Sequence, residues 1–398
     1  MDETELAWSG RHPGDEQYPP PRRRRRRYSR TCLVIVATLF LAAAVALFNG
    51  GQQAGRRLVD QHGTAVITPR VTKGSFTPDE VDALANKVTP SLVDVETVIE
   101  HLGAVGAGTG IVLSSSGDVL TNNHVINGAT TIEVVNLGNH RRYPATVVGY
   151  DRDHDVAVLR MTDASRLDTT RIGDSDTVGI GDPVLGVGNA GGRGGKPTSA
   201  PGVVTALNES INTSDELTGS VEQLKGLIEV AADIRPGDSG GPLINARGEV
   251  VGVNTAASVG FKYSTQAGTG YAIPINDAMA IVRAIQSGVT SDEAHVGPTG
   301  MLGIAVIGPA LQPDGTISPS TQPGAQVTNV SSDSPADAVG LTEGDLIVAL
   351  DNTPVNSPND LISVIGRHHP GDRVVLHWVD TGGTQRAATA TLAEGPPA

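Results

Sequence analysis

Cysteine is almost missing from this 398-residue chain: the one thiol, Cys32, sits inside an apolar run. No intramolecular disulfide can form, so any exported part must be stable without one. Aromatic residues are scarce, with two Trp, four Phe and six Tyr, whereas Gly (49) and Pro (25) are plentiful beside long Val/Ile/Thr-rich stretches. That balance predicts two or three domains dominated by β-structure. Positive charge is short as well. The first fifty residues carry eight arginines against five acids, a balance of +3, so the remainder must stand at −17 to give the formal total of −14. An acidic remainder argues against nucleic-acid binding outside the membrane. His368-His369 has no partner at zinc-ligand spacing and reads as surface decoration, so no metal is expected. Gly186-Val187-Gly188-Asn189-Ala190-Gly191 matches a dinucleotide fingerprint in letters, but the glycines and proline that follow cannot open a helix, and no cofactor is implied.

What is present is a serine set among glycines, Gly237-Asp238-Ser239-Gly240-Gly241-Pro242. A serine hydroxyl is a poor nucleophile at neutral pH and needs a histidine base held by a carboxylate. Glycine at 237 lets the chain turn sharply, so that the N–H groups of Gly237 and Ser239 can face an oxygen that becomes negative. Upstream, Leu120-Thr121-Asn122-Asn123-His124-Val125 places His124 after an apolar strand and its hairpin; His101, His140 and His154 lack that setting. Asp155 is the last acid before the apolar run Val156–Leu159, where a carboxylate becomes partly buried, whereas Asp151 and Asp153 read as solvated turn residues. The chain order His, Asp, Ser is that of the chymotrypsin-like double β-barrel, not of α/β-hydrolases or subtilisins.

Thr77-Pro78-Asp79-Glu80 has an N-cap, a proline and two acids, predicting a helix to about Val88. Short β-branched segments at 91–98, 110–113, 131–135 and 145–148 predict barrel strands, and 276–287 a closing helix. The polar stretch 208–225 reads as a loop, and 288–299, rich in Gly, Ser and Pro, as a linker. At the other end, Thr31–Phe48 is an uncharged apolar run behind six arginines at 22–27 and Arg30. It is long enough to span a bilayer, and the arginines place its N-terminal side in the cytoplasm. A retained anchor is favoured over a cleaved signal ending near Ala44-Val45-Ala46, because a thirty-residue polar leader precedes the run.

With Gly268-Thr269-Gly270-Tyr271-Ala272-Ile273-Pro274 added, these motifs resemble the HtrA family of exported trypsin-like proteases over about residues 78–394. The resemblance implies a mostly β fold, with a chymotrypsin-like double β-barrel protease domain at 77–290 and a PDZ domain at 297–394. A cytoplasmic tail at 1–30, a transmembrane helix at 31–48 and a linker at 49–76 would precede them. It puts a catalytic triad on His124, Asp155 and Ser239, with the oxyanion held by Gly237 and Ser239. The family often has asparagine before the nucleophile, where this chain has Asp238; no Ile-Val-Gly-Gly-like activation sequence precedes His124, so a local donor is expected for that acid. Gly300-Met301-Leu302-Gly303-Ile304 looks like a carboxylate-binding loop, which implies that Met301, Leu302, Gly303 and Ile304 border a groove taking C-terminal peptides as an added strand. Met301, Leu302 and Ile304 could equally be core residues.

Asp233 lies six positions before Ser239, the offset of the acid that binds Lys or Arg in trypsin-like pockets, while Ile228 and Ile234 could supply apolar walls. The resemblance favours apolar cleavage sites over basic ones. It further implies a single-pass membrane enzyme with its protease domain outside the cytoplasm, acting on misfolded or envelope proteins in quality control or stress response, and assembled as a homotrimer. Phe76 is the one aromatic near the protease N-terminus that could serve such an assembly. The rival from another class is a PDZ-tethered chaperone or scaffold with a mostly dormant protease site.

Overall fold

The computed structural model describes residues 74–397, apart from 101–102, 190–194, 216–220, 256–260, 264–267, 292–293 and 308–322. The expected tail at 1–30 and apolar span at 31–48 lie outside the described residues. Among those described, no helix is long and apolar enough to cross a membrane.

Helix α1 (Pro78–Val88) starts at Thr77 in a reciprocal capping box: the Glu80 carboxylate accepts the Thr77 N–H at 2.8 Å, and the Thr77 hydroxyl accepts the Glu80 N–H at 3.4 Å. The first barrel follows, built from β1 (Leu92–Ile99), β2 (Ala104–Val112), β3 (Asp118–Thr121), β4 (Thr131–Asn136), β5 (Arg142–Asp151) and β6 (Val156–Met161) in the order β5-β4-β1-β2-β3-β6, closed by β5 on β6. A four-residue helix, α2 (Asn123–Ile126), leaves the end of β3. The first four residues of β6, Val156–Leu159, read as an unbroken apolar run because both faces of the strand are buried there, while Arg160 is exposed. Val156 and Val158 join the core shared with the second barrel, while Ala157, Leu159 and Met161 fill the first.

The second barrel comprises β7 (Arg171–Ile172), β8 (Pro183–Gly188), β9 (Thr198–Asp215), β10 (Val221–Ala231), β11 (Pro242–Ile244), β12 (Glu249–Thr255), β13 (Phe261–Tyr263) and β14 (Gly270–Pro274), in the order β10-β14-β12-β11-β8-β9-β13 and closed by β9 on β10. The stretch 208–225, expected as a loop, is instead largely strand: β9 runs for 18 residues and pairs with β10 out to Ser214↔Val221, with β13 alongside. Helix α3 (Ile275–Gln286) puts Ile275, Ala278, Val282 and Ile285 into the core between the barrels, where Leu92, Ile111, Leu185 and Val253 meet and against which Phe76 packs.

The segment expected to be a plain linker is anchored. Strand β15 (His295–Val296) adds to the edge of β5 through His295↔Tyr150 and Val296↔Gly149, and the Thr299 hydroxyl lies 3.1 Å from that of Tyr150 in a buried contact. The last unit holds β16 (Thr299–Met301), β17 (Ile304–Ile307), β18 (Ala325–Val330), α4 (Pro335–Ala338), β19 (Leu346–Leu350), β20 (Thr353–Pro354), α5 (Pro358–Ile365), β21 (Arg373–Val379), β22 (Gln385–Thr391) and β23 (Ala393–Gly395). Its main sheet runs β17-β18-β19-β21-β22 around a core of Leu302, Val327, Ile347, Leu350, Leu361 and Trp378, and β16 pairs with β23. His369 is not surface decoration. Its ring stacks on His295, and its Nε2 sits 2.9 Å from the Val296 carbonyl, fastening this unit to the first barrel.

Candidate active site

His124 and Asp155 meet across the mouth of the first barrel. His124 is carried by α2 and Asp155 by the turn between β5 and β6. The imidazole Nδ1 lies 2.8 Å from Asp155 Oδ2 and 3.0 Å from Oδ1, and Oδ1 also accepts the His124 main-chain N–H at 2.9 Å. Both side chains are nearly inaccessible, at 5% and 3% exposure, so solvent does little to screen the pair. The Thr255 hydroxyl, from the end of β12, donates to Asp155 Oδ2 at 3.1 Å, and the Asn122 side-chain amide donates to the Asp155 carbonyl at 2.9 Å.

Ser239 is fully buried in the turn before β11. That turn is tied to the first barrel through Thr109 on β2. The Thr109 N–H donates to the Ser239 carbonyl at 2.8 Å, and its hydroxyl donates to the Gly237 carbonyl at 2.8 Å while accepting the Asn189 N–H at 2.9 Å. Gly108, the preceding residue, explains the glycine there: a Cβ would stand 2.7 and 2.8 Å from the Val125 methyls and 3.2 Å from the Ser239 carbonyl. The neighbour of His124 and the serine turn therefore both close on one strand. Gly237 has φ 97, a conformation that glycine adopts without the Cβ clash.

Asp238 is buried and takes two local donors, the Arg235 N–H and the Thr198 hydroxyl, each at 2.9 Å. Burial still pushes its carboxyl above the ordinary range. Asp151 departs from expectation. It is 1% exposed, not solvated, and its carboxylate accepts the His154 N–H at 3.0 Å and meets Nδ1 of that ring at 2.7 Å.

The pocket residues separate. Ile228 and Ile234 belong to one apolar cluster with Val184, Val204, Val230 and Ala272. Asp233 does not join them: it lies at the surface with its carboxylate on the Arg235 guanidinium, which holds it below the ordinary carboxylate range. In the last unit, Met301 is in β16 with its side chain against Gly395, and Leu302 is core, its carbonyl accepting the Ala336 N–H. Gly303 gives its carbonyl to the Ser331 N–H, and Ile304 opens β17, an edge strand bonded to β18.

Sequence reasoning missed Thr109, Asn122 and Thr255. Only Asn122 left a trace, as a cap-forming residue type just before a helix; the two threonines act through partners more than ten residues away, which no local pattern encodes.

Comparison with known proteins agrees with this geometry. The trypsin-like peptidase domain family matches residues 108–253, and the PDZ domain family matches residues 300–390. The chain is 32% identical over 341 residues to the serine protease PepD of Mycobacterium tuberculosis, covering 82% of this chain and 69% of that one. It is 30% identical over 290 residues to the serine protease Do-like HtrA of Lactococcus lactis, covering 72% and 70%. To the periplasmic pH-dependent serine endoprotease DegQ of Escherichia coli it is 36% identical over 282 residues, 70% of this chain and 57% of that longer one. Fold and matches together define a trypsin-like serine protease with one PDZ domain. The chain belongs to the HtrA family.

Proposed function

We propose that this protein is a serine endopeptidase in which Ser239 Oγ attacks the peptide carbonyl and its proton passes to Nε2 of His124. Asp155 fixes the imidazole with Nδ1 protonated and stabilises the imidazolium that forms. His124 then returns the proton to the leaving amine, and water, deprotonated by the same ring, releases the acyl group from Ser239. The Gly237 and Ser239 amides would receive the oxyanion. The observation that carries this reading is the double hold of one buried carboxylate on both Nδ1 and the main-chain N–H of His124. A fluorophosphonate probe on the full chain tests it. Labelling should fall on Ser239, and Ser239→Ala should abolish casein cleavage without unfolding; parent-rate turnover by that variant would assign the nucleophile elsewhere.

The preferred residue before the scissile bond is apolar in this reading. Ile228 and Ile234 lie in an apolar cluster, and the Asp233 carboxylate is spent on Arg235 at the surface. The PDZ groove beside β17 would take C-terminal peptides and bear on cleavage. An anchor at 31–48 would hold the protease domain at 77–290 and the PDZ domain at 297–394 outside the cytoplasmic membrane, where misfolded or envelope proteins are the substrates; the uncharged run behind seven arginines supports it. A homotrimer rests on the family likeness alone, since Phe76 packs on its own chain's core.

A further inference from the structure

Asn122 stands immediately before α2 in the extended backbone of an N-cap, φ −85 and ψ 151. Asparagine is among the best capping residues because its side-chain oxygen accepts an N–H of the first helical turn. Here it makes no cap bond. The cap comes instead from Asp155, whose Oδ1 accepts the His124 N–H, while the fully buried Asn122 donates from Nδ2 to the Asp155 carbonyl at 2.9 Å. Asn122 Oδ1 is buried with no hydrogen-bond partner among the described residues, so the amide's hold on its surroundings there is the Nδ2 bond to the Asp155 carbonyl.

Asp155 needs such a hold. Its φ is 55, in the left-handed region, which is uncommon for a residue with a Cβ although Asp enters it more readily than most. Its own N–H reaches the Arg152 carbonyl only at 3.2 Å. A rotation of this residue toward the extended region would swing the carboxylate away from Nδ1 of His124. We propose that Asn122 is a positioning residue for catalysis: by gripping the Asp155 carbonyl it locks that residue in its left-handed conformation and so aims the carboxylate at His124. This rests on the reading of His124, Asp155 and Ser239 as the triad.

In the full chain, Asn122→Ala is expected to lower kcat on a casein-derived peptide by about 10²-fold, the order of loss for a displacement of about an ångström, with KM little changed. The lower pKa of the kcat/KM profile should also move down, because a misaimed carboxylate favours the imidazolium less. An unchanged kcat and pH profile would overturn the proposal. So would a loss of thermal stability with the rate per fluorophosphonate-labelled site and the pKa unaltered, which is what a packing role alone predicts. Should Asn122→Ala not fold, Asn122→Ser, polar but too short to reach the carbonyl, carries the same readings. Failure of the triad itself would show separately, as activity in Ser239→Ala.

Discussion

His295 stacks on His369 with ring centroids 4.7 Å apart and planes 24° apart, and the same ring faces Tyr150 at 5.2 Å. Burial pushes the His295 pKa down, and the neighbouring His369 adds to this. The unfolded chain therefore binds this proton more readily than the folded one, so its contribution to stability is complete above the unfolded value of 6.5 and declines as pH falls below it. Charged and titratable groups at the same junction are Arg152, Asp153, Arg367 and His369. Replacing His295 by Phe keeps a ring and removes the proton site. The melting temperature of the full chain relative to His295→Phe should fall between pH 7 and pH 5; a constant difference would mean that His295 does not titrate the junction.

The comparison must be differential because Asp94 pulls the other way. Burial and the nearby Glu96 raise its pKa to about 6 from 3.8, so the folded chain holds the proton more tightly and the penalty is complete only above about pH 6. Asp94→Asn should stabilise the protein at pH 8 by about 3 kcal/mol and give little advantage at pH 4. Denaturant titrations at the two pH values measure this; equal effects would place the charge elsewhere.

Asp151, the last residue of β5, and Asp155, in the turn that follows it, should behave oppositely. Asp155→Asn is expected to cut kcat by about 10⁴, since the imidazole loses its tautomer, whereas Asp151→Asn releases only His154 and should leave kcat within a few-fold. Thr255→Ala, which removes one donor from the Asp155 carboxylate, should cost about tenfold. Steady-state rates on one peptide rank all three, and the reverse order for the two aspartates would reassign the acid.

Much of this was readable beforehand. The capping box at Thr77 announces itself through its side-chain chemistry, and β4, the apolar start of β6 and helix α3 through the apolar residues that they bury. His124 and Asp155 stand out by their neighbours in the sequence, and the structure puts them in contact. The β9–β10 arm is hard to read in the sequence because the stretch 208–225 alternates few apolar residues; among its described residues Ile211 and Leu224, paired across the two strands, reach the core, and the rest is held through the β9–β10 pairing. Asp151 was misjudged since its burial comes from the packing of the β5 end, and His369 because its partner, His295, is seventy-odd residues away.

Asp233→Ala should leave the cleavage preference apolar. An exposed ion pair of this kind is worth about 0–1 kcal/mol, so stability should hardly change. Peptide-library cleavage decides the matter: Lys or Arg before the scissile bond, abolished by the substitution, would return Asp233 to the pocket.

A chain ending at Pro298 keeps β15 on β5, while one ending at Gly288 strips it and bares the β5 edge beside Tyr150, a residue otherwise 3% exposed. The shorter protein should melt several degrees lower, roughly 2–4 °C per kcal/mol for a domain of this size, and aggregate more readily. Equal melting points would make β15 a passive tether.

The two-residue ladder between β15 and β5 puts the root of the last unit and the root of the Asp155 turn on one strand: His295 pairs with Tyr150, and Asp155 follows Tyr150 by five residues. With the His295–His369 stack and the Gly128 N–H donating to the Pro397 carbonyl at 2.8 Å, the seating of that unit and the placing of the carboxylate become neighbours along a single edge.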